Sequence, residues 1–256
     1  MSPPDPDAAD VFWWHSIDLG DRVTPGWKSP EVLAAEWEQL RLGDLRGRSV
    51  LDIGAWDGWF SFEAERRGAD RVVALDHYAW SMDLVRQQAY IAECRASGEP
   101  MRPYHQVDDI WRPDDLPGKA GFDIAHAALG SRVEAVVADF LTVDPAALGS
   151  FDVVLWLGVL YHMEEPLRAL RQVRAVTAEL AVIESQACVA PGDPSSAWFR
   201  FHAGHDLNAD PTNWYVPTEA ALLALCEAAG FATAQTVAGT PPPDGGDYRI
   251  VVHAVV

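Results

Sequence analysis

The chain has 256 residues, 49% of them hydrophobic, with a formal net charge of −19 and only two lysines, Lys28 and Lys119. This length allows one large domain or two small ones, with an ordinary core. The acidity argues against nucleic-acid binding, which needs a basic face to neutralise phosphate. The longest apolar run, around Val153 to Leu160, is far short of the roughly 20 residues of a membrane span.

Residues 1–10, MSPPDPDAAD, are acidic and Pro-rich. They read as a disordered tail and not as a signal peptide, which places the protein in the cytoplasm. Cys94, Cys188 and Cys226 are scattered, with no CxxC and no zinc spacing, and each reads as a buried small hydrophobe.

Residues 11–45 are expected to form an N-terminal arm. Its first part is aromatic and holds Gly and Pro; a helix over 30–42 follows, with Pro30 in its first turn and Val32, Leu33, Trp37 and Leu40 at helical spacing. Strands are then expected at about 48–53, 71–75, 133–138, 151–157, 179–185, 231–238 and 248–255, and helices at about 58–67, 80–97, 119–129, 164–175 and 217–229. Strands separated by helices imply an α/β fold, with a mostly parallel sheet covered by helices on both faces. Only TPPPDGGD separates the last two strands, too short for a crossover helix, so the final strand should run antiparallel. Segments 98–118 and 187–216 are long, aromatic and Pro-bearing, as lids or substrate loops are.

The chemistry concentrates at strand ends. VLDIGAWDG, residues 50–58, reads as a buried strand carrying Asp52, then a turn with Gly54 and Gly58, then the amphipathic helix WFSFEAERRG. A glycine turn lets backbone approach a ligand closely. An acid before the turn repels a pyrophosphate but suits a cationic, amine-bearing ligand such as S-adenosylmethionine (SAM). The dinucleotide fingerprint GxGxxG is missing, which counts against a NAD-dependent oxidoreductase. VVALDHY ends the second strand with Asp76, eighteen residues after Gly58, where a carboxylate can accept ribose hydroxyls. VVADFLTVD ends the third strand at Asp139-Phe140, an acceptor for an adenine amino group beside an apolar wall. Each acid taken alone is equally well a cap or a turn residue. FDVVLWLGVLYHMEEPLRAL ends the fourth strand near Leu157 and Gly158 and continues through Tyr161-His162 to Pro166.

The DxGxxxG pattern resembles motif I of class I SAM-dependent methyltransferases, usually DxGxGxG. Trp56 stands where the middle glycine is expected, and Asp57 is a residue that accepts a left-handed turn. The block GVLYH-x-x-x-P-L resembles the tRNA wobble-uridine carboxymethyltransferases and their relatives, and the likeness runs more loosely from His15 to about residue 237. The resemblance implies a single Rossmann-like domain over 11–256 with a seven-stranded sheet. It implies that Asp52, Gly54 and Gly58 cradle the methionine part of SAM, with Ala55, Asp76, His77, Asp139, Phe140, Leu157 and Gly158 completing the cofactor site. In that group a basic residue upstream of the domain holds the extra carboxylate of carboxy-SAM. Here no lysine or arginine precedes Arg22, which favours plain SAM, with Arg200 or Arg249 as alternatives for that role.

The expected reaction is methyl transfer to a hydroxyl of a small molecule such as a sugar, glycoside or secondary metabolite. His162 is the candidate base, because histidine titrates near operating pH, and Tyr161 its partner in orienting the acceptor. A helix cap is the structural alternative for His162. Trp13, His15, Tyr78, Trp111, His202, Trp214 and Tyr215 are candidates for the acceptor pocket, together with Trp14 and His205. Glu164, Glu165, His202, His205 and Asp206 are donors for a cation such as Mg²⁺, but their spacing indicates no metal. The competing readings are a tRNA-modifying alkyltransferase and a SAM-binding regulator without turnover.

Overall fold

The computed structural model describes residues 11–193, 195–208, 210–243 and 245–256. The expected disordered tail, residues 1–10, lies outside the described residues.

Helix α1 (Pro30–Gln39) starts where the Ser29 hydroxyl accepts from the Val32 amide, and it buries Leu33 and Trp37. The chain then runs through β1 (Ser49–Ile53), α2 (Trp59–Arg66), β2 (Arg71–Asp76), α3 (Leu84–Ser97), α4 (Ala120–Leu129), β3 (Glu134–Val137), α5 (Pro145–Leu148), β4 (Phe151–Leu157), α6 (Pro166–Val176) and β5 (Thr177–Cys188). It ends with β6 (Phe199–Phe201), β7 (Tyr215–Pro217), α7 (Glu219–Ala229), β8 (Thr233–Ala238) and β9 (Asp247–Val255).

Seven strands form one sheet in the order β3-β2-β1-β4-β5-β9-β8. Strands β3, β2, β1, β4 and β5 pair in parallel, whereas β9 lies antiparallel to both β5 and β8. This is a Rossmann-like α/β fold with an antiparallel last strand. Alternation along the strands splits the core between the two faces. Val50 and Leu155 pack with Trp37, Phe60 and Phe122 of α1, α2 and α4. Leu51, Ile53, Val154 and Trp156 pack with Leu170, Val173 and Leu222 of α6 and α7.

The elements depart from the sequence expectations at a few points. Helix α3 begins at Leu84 rather than near 80, because the Asp83 side chain caps it by accepting from the Arg86 amide at 2.9 Å. The short α5 was not anticipated; it is one turn held by Asp144, whose side chain accepts from the Ala146 amide. Segment 187–216 is not all loop, since β6 and β7 pair into a second, two-stranded antiparallel sheet. Strand β5 is longer than expected, because β9 pairs along it from Leu180 to Cys188.

Among the described residues, no helix is long and apolar enough to cross a membrane.

Candidate active site

The sheet changes direction between β1 and β4: β2 and β3 extend to one side of β1, and the chain returns to pair β4 on the other. Ligands of open α/β sheets sit at such a switch point, outside the carboxyl ends of the strands. A cleft of about 1920 Å³ opens there. It exceeds the usual 300–1,000 Å³ or so of a single-ligand pocket and has room for two molecules.

Asp52, near the end of β1, is buried on the α2 side and accepts from the Ser61 hydroxyl at 2.6 Å. Burial pushes its carboxyl up to about 6, against the Ser61 hydrogen bond. Gly54 follows at φ +82°, and a Cβ there would stand 2.8 Å from Val159 Cγ2. Asp76 ends β2, buried, and accepts from the Trp56 and Ala79 amides at 3.0 Å each. Burial raises its pKa too, while those amides oppose the shift.

The left-handed residue of the turn is Trp56 (φ +52°), not Asp57. Such a conformation costs a non-glycine residue about 1–2 kcal/mol. Three contacts hold it: its amide donates to Asp76, Trp80 Nε1 donates to the Trp56 carbonyl at 2.6 Å, and the Trp56 ring stacks on Trp14 with centroids 5.0 Å apart. Trp14 stacks in turn on Trp27 at 6.0 Å. Asp57 turns away from the ligand side. It accepts from the Trp14 and His15 amides at 2.9 Å each and pairs closely with His15 Nδ1. Sequence reasoning gave Asp57 no such role, because the residues it binds lie 42 and 43 positions away.

Beyond β4, Gly158 takes φ +73°, and the turn Leu160–His162 brings Tyr161 and His162 to the cleft. Arg249 donates to the Tyr161 hydroxyl at 3.2 Å, lies over its ring at 5.3 Å, and forms a close two-point pair with Glu184. Burial raises the Tyr161 pKa, with Arg249 opposing. His162 Nδ1 lies 2.9 Å from Thr212 Oγ1 and 3.2 Å from the Thr212 carbonyl. Burial lowers the His162 pKa, with Asp210 pulling the other way.

The cleft gathers most of the residues singled out in the sequence. Asp52, Gly54, Ala55, Asp76, His77, Asp139, Phe140, Leu157, Gly158, Tyr161 and His162 line it, as do His15, Tyr78, Trp111 and Trp214. Trp111 lies 5.5 Å from the His77 ring and 5.3 Å from the Tyr78 ring. Five of the expected residues sit elsewhere, the exposed His205 among them. Gly58 packs under α2 and α4, where a Cβ would meet Phe122 at 2.6 Å and Phe62 at 2.8 Å. Trp13 is buried in the core beside Gly121. His202 accepts from Arg200 Nε at 3.0 Å and Tyr215 packs against Phe201 at 5.5 Å, both around the two-stranded sheet. Arg200 itself is paired with Asp247.

The electrostatics fit a cationic cofactor. Glu36, Asp52, Asp76, Asp139, Glu164, Glu165, Glu184 and Asp210 line the cleft against Lys28, Arg41, Arg95 and Arg249. Lys28 is already paired with Glu36, and Arg249 with Glu184. The buried Asp52 can face the α-ammonium group of such a cofactor, and the buried Asp76 its ribose hydroxyls. No group of three or more His, Cys, Asp or Glu among the described residues is arranged to hold a metal ion.

A family model described as a methyltransferase domain matches residues 29–236. The chain belongs to this family. With its sheet order and acid-lined switch point, it is a class I SAM-dependent methyltransferase. Its curated relatives include the tRNA U34 carboxymethyltransferase of Psychrobacter cryohalolentis, 25% identical over 225 residues, covering 88% of this chain and 50% of that protein. The enzyme of the same name from Pseudomonas paraeruginosa is 24% identical over 224 residues, covering 86% of this chain and 55% of that protein. The chain thus spans about half the length of these relatives. Among solved structures, the N-terminal domain of EvdMO1, in the presence of SAH and D-fucose, shares the fold with a TM-score of 0.56 at 19% identity. That match covers 95% of this chain and 91% of the EvdMO1 domain.

Proposed function

We propose that the protein transfers a methyl group from SAM to a hydroxyl of a small molecule: a sugar, glycoside or secondary metabolite. Asp52, Gly54 and Ala55 would hold the methionine end of the cofactor, Asp76 and His77 the ribose, and Asp139 and Phe140 the adenine. When bound, SAM supplies a methyl group on an activated sulfonium. The chain's own part is to hold the acceptor in line, exclude water and remove the hydroxyl proton; positioning of this kind can supply about 7–11 kcal/mol.

One observation carries the reading: His162 lines the same cleft as the three strand-end acids, held through Nδ1. Its pKa is lowered by burial, so it is neutral at neutral pH and able to take a proton. The Trp14–Trp56 stack and the His77, Tyr78 and Trp111 group supply apolar walls suited to a compact acceptor. The net charge of −19 and the acidic cleft favour a small molecule over RNA. Pairing of Arg249 with Glu184 favours a plain methyl group over a carboxylated one.

A second reading, a tRNA-modifying alkyltransferase, is favoured by the names of the curated relatives. One labelling experiment separates the two. The protein is incubated with methyl-labelled SAM, a bacterial small-molecule extract and total tRNA. Label is expected in the small-molecule fraction as a methyl ether; label recovered in tRNA would overturn the proposal.

A further inference from the structure

The segment between β6 and β7 folds back to the cleft. The Trp214 amide donates to the Tyr161 carbonyl at 2.8 Å, which locks this segment to the turn that carries His162. Asp210 Oδ1 accepts from the Thr212 amide at 2.8 Å and from the Thr212 hydroxyl at 2.7 Å. Thr212 Oγ1 and the Thr212 carbonyl then both face His162 Nδ1, at 2.9 Å and 3.2 Å.

We propose that Asp210 and Thr212 are positioning residues that hold His162 as the single tautomer with its proton on Nδ1 and its lone pair on Nε2. The proposal deepens the reading of His162 as the base, and rests on it for its catalytic meaning.

The logic is a donor count. A threonine hydroxyl has one hydrogen. The Asp210 carboxylate is acceptor-only and takes that hydrogen, so Thr212 Oγ1 can only accept on its histidine side. The Thr212 carbonyl can only accept as well. Both partners of Nδ1 therefore demand an N–H. With the proton on Nε2 instead, the ring lone pair would face a carbonyl oxygen, and the Thr212 hydroxyl would have to leave Asp210. Among the described residues Nε2 has no hydrogen-bond partner, so the basic nitrogen stays available. The acceptor proton would pass to Nε2, and the imidazolium so formed would keep its Nδ1 proton on Thr212. This outer-residue control of a ring tautomer is the same physics that orients metal-bound and triad histidines.

Nothing in the sequence pattern marks the pair, because Asp210 and Thr212 lie 48 and 50 residues beyond His162 in a segment without periodicity.

The test is ¹⁵N NMR of histidine-labelled protein at a pH where His162 is neutral, without cofactor or acceptor. The wild type should show His162 protonated on Nδ1 only. Thr212→Val leaves just the longer carbonyl contact and should give a mixture of tautomers; Thr212→Ser should restore the wild-type signal. Asp210→Ala frees the Thr212 hydroxyl to donate to Nδ1 and should move the proton towards Nε2. A wild-type His162 protonated on Nε2 would overturn the proposal. So would a Thr212→Val protein, its backbone amide spectrum otherwise native, that keeps the wild-type tautomer. Because neither SAM nor acceptor is present, a failure of methyl transfer would overturn the base assignment without altering the tautomer result, and the two failures stay separate.

Discussion

Replacing Asp57 with alanine should loosen the N-terminal arm, and the size of the effect follows from three contacts. Asp57 Oδ2 accepts from the Trp14 and His15 amides, and Oδ1 pairs with the His15 ring. Asp57 is 1% exposed and His15 6%, so little water is available to replace those bonds. A buried N–H left without a partner costs about 1–3 kcal/mol. Two orphaned amides therefore cost about 2–6 kcal/mol, and the desolvation relieved by removing a buried carboxylate offsets part of the lost His15 pairing. A central figure of about 4 kcal/mol corresponds to a fall in Tm of about 8–16 °C for a chain of this size. Urea unfolding followed by tryptophan fluorescence measures the first quantity and thermal unfolding the second. The Trp14–Trp56 stack should loosen with the arm, so its near-ultraviolet circular dichroism should fade in the native baseline. Asp57→Asn can keep its one carbonyl oxygen on both amides and should lose much less, chiefly the His15 ring pairing. If Asp57→Ala stays within about 1 kcal/mol of the wild type, the latch assigned to this residue is wrong.

Asp76→Ala should weaken SAM binding about 10–100-fold by calorimetry, the worth of a charge-assisted hydrogen bond, because the ribose would lose its acceptor. Unchanged affinity would remove the ribose assignment. His162→Ala should lower turnover about 10²–10⁴-fold while SAM affinity stays nearly constant, and unchanged turnover would rule out the base. Asp52 predicts a pH dependence. Its folded pKa, about 6, lies above the ordinary 3.8, so the folded state holds a proton that the unfolded chain has released. The stability of the wild type relative to Asp52→Asn should therefore fall as pH rises from about 4 to about 6 and level off above. A relative stability that rises across that window would contradict the burial argument. A cation bound beside Asp52 lowers its pKa, so SAM binding near pH 6 should release a proton, seen as a dependence of the binding heat on the buffer.

Much of this architecture was legible in the chain, for physical reasons. Strands β1 and β4 alternate between two buried faces and are bounded by Gly54 and Gly158, so both their pattern and their ends stood out. The antiparallel β9 followed from a connection too short for a crossover. The strand-end acids Asp52, Asp76 and Asp139 meet in one cleft because parallel strands deliver their carboxyl ends to the same edge of the sheet. Other features were hidden because they depend on long-range contacts. Trp13 and Trp14 are adjacent, yet one is core and the other stacks on Trp56, a difference set by how Asp57 grips the arm. Gly58 is required by the Phe62 and Phe122 rings, which no local motif reveals. Pairing of Glu184 with Arg249 joins β5 to β9 across 65 residues and depends on sheet register.

Calorimetric titration of the purified protein with SAM, and in parallel with NADH, bears most directly on the whole account. One equivalent of SAM should bind, more weakly in Asp76→Ala, and NADH should give no heat. NADH binding, or no binding of SAM, would mean that the acid-lined cleft at the end of β1 does not hold a sulfonium cofactor.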